Sequence, residues 1–99
     1  MHPNFQPSVY LVANRRNGAI YTGVTSDLAK RIWQHRQGEV DRFTKRYGCK
    51  SLVWYELHAT MEYAIAREKQ IKAGSRRKKI ALIETANADW RDLFGELAT

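Results

Sequence analysis

The chain opens on two β-rich runs, "SVYLVAN" and "AIYTGVT", separated by "RRNG". Asn17 and Gly18 both tolerate positive φ, so this pair predicts a tight two-residue hairpin between antiparallel strands. Helical periodicity follows: Ser26 or Thr25 is placed to cap, Asp27 suits the first turn, Leu28 and Ile32 form an apolar stripe, and Gly38 ends the segment. The charged stretch "GEVDRFTKRYGCK" reads as a loop, and "SLVWYELH" reads as a third strand. Thr60 caps "MEYAIAREKQIKA", which closes at Gly74, and Ser75 opens "RRKKIALIETA". Trp90, Leu93, Phe94 and Leu97 recur at helical spacing in a last amphipathic segment. The predicted order is β-β-α-β-α-α with a short terminal helix. This is an α+β fold, a small three-stranded, mainly antiparallel sheet flanked by helices.

Composition narrows the reading. The 99 residues are 43% hydrophobic with three tryptophans, enough for one core. A loose arm is expected over residues 1–7, which hold both prolines, and a single domain over residues 8–99. The apolar run "VYLVA" is far shorter than the roughly 20 residues that cross a bilayer, so a soluble cytoplasmic protein with no membrane partner is expected. Cys49 is the only cysteine, which excludes an internal disulfide, and it has no neighbours at zinc-ligand spacing. A net charge of +7 and a pI near 9.9 point to a polyanionic partner. Nucleic acid is favoured over an anionic membrane because no helix pairs this charge with an exposed aromatic face. The densest run, Arg76, Arg77, Lys78 and Lys79, equally suits the solvated first turns of a helix.

Candidate chemistry lies at three places. A hairpin connection with an even number of residues puts Tyr10 and Tyr21 on one sheet face. With a two-residue turn Gly23 shares that face opposite Val12, leaving a bare patch beside two phenols. Tyrosines also favour strands, and a strand glycine also marks a bulge. Arg31 and His35 stand one helical turn apart at the edge of the apolar stripe, able to reach a phosphate or to form an exposed series with Asp27. Glu68 points into the stripe made by Met61, Ala64, Ile65 and Ile71. A core-facing acid must be paired, protonated or bound to metal. Lys72 one turn later is a pairing partner, and Mg²⁺, which commonly takes one or two carboxylates, is the alternative.

These residues in this order resemble the GIY-YIG endonuclease family, specifically its small stand-alone members similar to the nuclease domain of the bacterial excision-repair nuclease. "VYL" around Tyr10 and "YTG" at Tyr21 to Gly23 correspond to the two signatures; the first lacks the glycine and the Ile-Tyr pair, and Thr22 replaces isoleucine in the second. "YTGVTSDLAKRIWQHRQG", "FTKRYG", "LVWYE", "AIAREKQIKAGSRRKKIALIE" and "NADWRDL" carry the likeness from Val9 to about Phe94. The resemblance implies Mg²⁺- or Mn²⁺-dependent phosphodiester hydrolysis, in DNA repair or processing. It implies that Tyr10 and Tyr21 are active-site tyrosines, Arg31 the phosphate-binding arginine, His35 its helical companion and Glu68 the single metal ligand. Either Tyr21 or His35 would serve as general base. DNA would be gripped by Arg76 to Lys79 and by the Arg42 to Arg46 loop, with Lys45 near substrate, and cleavage would be structure-selective or weakly sequence-specific. The alternatives are a non-catalytic or partner-dependent nucleic-acid-binding module of the same fold, and an interaction domain whose charge is incidental.

Overall fold

A computed structural model describes residues 5–97. The strands are β1 (Ser8–Ala13), β2 (Ile20–Thr25) and β3 (Ser51–Leu57); the helices are α1 (Leu28–Arg36), α2 (Arg42–Tyr47), α3 (Met61–Ala73), α4 (Arg76–Ala86) and α5 (Phe94–Leu97). The sheet is antiparallel with strand order β2-β1-β3, so β1 is central and buried along its length. Strand alternation sorts its residues into two layers. Val9, Leu11 and Ala13 pack with Ala64, Ile71 and Ile83 of α3 and α4. Tyr10 and Val12 pack on the other face with Leu28, Ile32, Leu52 and Leu93.

The hairpin departs from the expected geometry in an informative way. Its turn spans Arg15 to Gly18, closed by the Gly18 N–H donating to the Arg15 carbonyl at 3.0 Å, with Asn17 in the left-handed region at φ 56°. Asn14 Oδ1 accepts from the Ala19 N–H at 2.9 Å and sets where pairing resumes. The connection is still even, so Tyr10 and Tyr21 share a face as expected. The register moves by two, however, placing Gly23 opposite Tyr10 and Tyr21 opposite Val12.

Other local expectations are corrected by side-chain chemistry. Asp27, rather than Ser26 or Thr25, caps α1 through the Lys30 N–H, while Thr25 Oγ1 accepts from the Asp27 N–H. The stretch read as a loop contains α2, started by Asp41 accepting from the Phe43 N–H and stopped by Gly48 at φ 65°. Six residues are too few for a readable helical period. Trp90 lies outside any helix at φ 56°, and Ile65 is exposed instead of joining the α3 stripe. Asn87 to Leu93 instead covers the free edge of β3: Leu93 donates to the Leu52 carbonyl at 2.7 Å, and Asp92 Oδ1 accepts from the Leu52 N–H.

Of the expected loose arm, residues 1–4 lie outside the described residues. Gln6 and Pro7 are tied down, with Gln6 donating to the Ser26 carbonyl at 2.7 Å and the Pro7 carbonyl accepting from His58 at 2.8 Å. Cys49 is a buried free thiol whose pKa is raised by burial. Among the described residues no helix is long and apolar enough to cross a membrane.

Candidate active site

Four elements converge on the sheet face that carries Tyr10. Gly23 makes the seat: a β-carbon there would lie 2.3 Å from both Cζ and Oη of Tyr10, so only glycine lets the ring lie across β2. The Tyr10 hydroxyl then meets Nε2 of His35 at 2.8 Å, and both side chains are buried. His35 arrives from α1 because Leu28 and Ile32 turn that side of the helix into the core. The rings of Tyr10 and Tyr21 meet the imidazole edge-on, with centroids at 5.4 and 5.5 Å. The exposed Asp27–Arg31–His35 series considered from spacing is therefore excluded at His35.

Electrostatics completes the grouping. Burial raises the Tyr10 pKa, helped by Tyr21, while the charge and hydrogen bond of Arg31 oppose the rise. Burial also raises Tyr21, with Asp41 and Glu68 adding to the rise and Lys72 and Arg31 opposing it. Both phenols are thus protonated at neutral pH. The His35 pKa is lowered to about 4, first by burial and then by Arg31, so the imidazole is neutral. Its Nδ1 is buried without a hydrogen-bond partner, a cost accepted while Nε2 is held by Tyr10.

This state carries a prediction. The unfolded imidazole takes a proton near 6.5 and the folded one resists until about 4. The unfolded chain therefore binds more protons in that window, and acid favours unfolding. The contribution of His35 to stability is expected to be complete above pH 6.5 and to fade towards pH 4, which urea titrations across that range would measure. His35→Gln should flatten the profile, and a wild-type profile already flat from about pH 7 to 5 would overturn the buried neutral assignment.

Glu68 comes from α3, which packs in the other layer but reaches β2, an edge strand, so its charge acts on both tyrosines. The Glu68 side chain is 13% exposed, and Oε2 holds Lys72 Nζ at 2.9 Å. The ion pair considered from sequence is thus present. Lys72 also sits 5.8 Å from the centre of the Tyr21 ring, and the hydrogen bond to Glu68 raises its pKa. Among the described residues no three His, Cys, Asp or Glu side chains converge on one point. A single carboxylate suits a cation that keeps water and phosphate ligands, as Mg²⁺ and Mn²⁺ do, and does not suit a zinc cage.

The basic residues divide between the layers. Arg42, Lys45 and Arg46 are exposed on α2, which adjoins Tyr21 through Phe43 at a centroid distance of 6.3 Å. Arg76 is committed to the hairpin turn, donating to the carbonyls of Asn17 and Gly18 at 2.7 and 2.6 Å. Arg77 is exposed, whereas Lys78 and Lys79 line a cleft between α3 and α4 with Arg67 and Leu82. Sequence reasoning missed Asp41 and Phe43 beside Tyr21, hidden in the stretch read as a loop. It saw Lys72 only as a partner for Glu68.

The fold is thus an antiparallel sheet that brings one tyrosine from each of two paired strands against a histidine and an arginine of one helix. The GIY-YIG catalytic domain model matches residues 6–81, and the chain belongs to the GIY-YIG family of nucleases. Among individual proteins, it is 39% identical over 75 residues to a UPF0213 protein of Staphylococcus saprophyticus, covering 76% of this chain and 90% of that one. It is 36% identical over 76 residues to a UPF0213 protein of Staphylococcus aureus, covering 77% and 92%. The solution NMR structure of a UPF0213 protein from Bacillus halodurans superposes with a TM-score of 0.55 at 30% identity, covering 88% of this chain and 92% of that one.

Proposed function

We propose that the protein is a divalent-metal-dependent endonuclease that hydrolyses phosphodiester bonds in DNA, structure-selective or weakly sequence-specific, and serves DNA repair or processing. The observation that carries this reading is the convergence on His35: the Tyr10 hydroxyl on Nε2, Tyr21 against the ring edge, and the charge of Glu68 felt by both phenols. A packing role does not require a buried polar pair with one imidazole nitrogen left bare.

In this reading Arg31 holds a non-bridging phosphate oxygen through its planar donor fork. Tyr21, half-buried and therefore able to meet water, would act as general base through its phenolate. Burial, Asp41 and Glu68 disfavour that phenolate in the resting protein, and Lys72, Arg31 and a cation held by Glu68 would favour it. Tyr10 and His35, both shielded from water, position Tyr21 and Arg31. Glu68 would hold Mg²⁺ or Mn²⁺, which when bound supplies positive charge to the phosphoryl and leaving oxygens. The exposed cations of α2 grip flanking phosphates without reading bases. Arg77, Lys78 and Lys79 are further contacts, whereas Arg76 serves the hairpin.

One observation favours the non-catalytic alternative: Lys72 already neutralises Glu68, as it would in a module that only binds nucleic acid. The same assay separates the two. The protein with Mg²⁺ or Mn²⁺ is expected to nick supercoiled plasmid or cut branched and single-stranded DNA, EDTA to stop it, and Arg31→Ala to slow it by about 10- to 100-fold. Salt-dependent binding with no cutting across that panel would replace the nuclease by the binding module.

A further inference from the structure

Beyond Tyr21 the aromatic surface continues outward. Phe43 lies 6.3 Å from Tyr21 with the rings inclined at 32°, and Tyr47 lies 4.8 Å from Phe43 at 47°. The guanidinium of Arg46 sits 5.4 Å over the Tyr47 ring. Phe43 and Tyr47 are four residues apart on α2 and so share a face. Thr44 is buried, and its hydroxyl donates to the Asp41 carbonyl at 3.0 Å within the first turn of the helix. An aromatic pair at this spacing helps a six-residue helix hold together through one side of each ring, and only burial of the remainder would leave no face for a ligand. Phe43 and Tyr47 are instead 40% and 44% exposed.

We propose that Phe43 and Tyr47 form a stacking platform for unpaired nucleobases next to the phosphate held at Tyr21 and Arg31, which makes single-stranded DNA the preferred ligand class. Every base offers a π-face to such rings, whereas a duplex keeps its bases stacked on one another. The surrounding charge matches: exposed Arg42, Lys45 and Arg46 on the same helix would meet a polyanionic backbone, and the chain carries +7 overall. Thus α2, unseen in the sequence, does pair charge with an exposed aromatic face. Continuity with Tyr21 sets the distance, since the rings begin one aromatic contact from the proposed reaction centre. The inference rests on the nuclease reading for the position of the phosphate, while the stacking itself is measured by binding alone.

The test compares a fluorescein-labelled oligonucleotide of about 20 nucleotides, single-stranded and as a duplex, by anisotropy at fixed salt, together with a single strand carrying 2-aminopurine. The variant Phe43→Leu/Tyr47→Leu keeps apolar bulk on α2 and removes the aromatic faces, and its melting temperature is measured alongside. The wild type is expected to prefer the single strand and to quench 2-aminopurine. The variant should lose roughly five- to 100-fold in single-strand affinity, with duplex affinity within about twofold. Equal losses on both ligands, or unchanged single-strand binding, would overturn the platform. If the double variant melts early, Tyr47→Leu alone, on the more exposed ring, must show the same selective loss. Selective loss in a protein that cuts nothing would sustain the platform and reject the nuclease.

Discussion

Glu68→Ala is expected to lower phosphodiester cutting by at least about a hundredfold, while affinity for DNA stays within about threefold. The carboxylate is nearly out of water, it acts on both tyrosines, and no cluster of other acids among the described residues can take its place. DNA binding is carried by cations on other elements, so its affinity should survive. Lys72 is 50% exposed and can hydrate once its partner is gone, so the fold should also survive. Glu68→Gln, which keeps the shape and removes the charge, should be equally inactive. Calorimetric titration with Mn²⁺ gives a second readout, with binding expected in the wild type and absent in both variants. Cutting at the wild-type rate by either variant would remove Glu68 from the reaction.

Gly23→Ala is expected to be the most destabilising single methyl that can be added to the sheet. The new carbon would stand 2.3 Å from Cζ and Oη of Tyr10 and 2.8 Å from Cε1. Tyr10 cannot yield easily, because its ring is rigid, fully buried and hydrogen-bonded to His35. Overpacking of this kind costs roughly 1–3 kcal/mol, which in a domain of this size is a fall of about 5–20 °C in melting temperature. The Tyr10 to His35 bond should be lost with it, so cutting should fall even where the chain is folded. Gly95→Ala is the control, since nothing lies within 4 Å of a β-carbon there. Equal melting temperatures for the two variants would mean that Tyr10 does not lie across Gly23.

Much of this architecture is legible in the chain because its signals are local. Runs rich in β-branched and aromatic residues define the three strands, and Thr60 and Ser75 cap α3 and α4 as their positions suggest. The same-face placement of Tyr10 and Tyr21 needs only parity, and it survives the change from a two-residue to a four-residue turn. The anomaly of Glu68 also needs only helical spacing. The pairing of Gly23 with Tyr10 does not follow from the Asn-Gly signal: it depends on a four-residue turn closed by the Gly18 N–H on the Arg15 carbonyl, with Asn17 at positive φ and Asn14 Oδ1 accepting from the Ala19 N–H. Short α2 escaped for a related reason, since its start and stop are single residues, Asp41 and Gly48, around six positions with no readable period.

The α+β class and the basic balance are written in residue order, because periodicity and composition are properties of neighbouring positions. The five residues proposed for chemistry, by contrast, are singled out together only by the resemblance that the order of motifs carries. Long-range packing was needed to join Tyr10 and His35, 25 positions apart, in a buried hydrogen bond. It also brought Glu68 around the edge strand to act on both phenols, and bound Arg76 to the hairpin turn. Those outcomes depend on register, layer and edge, which are fixed when distant segments bury their apolar faces together.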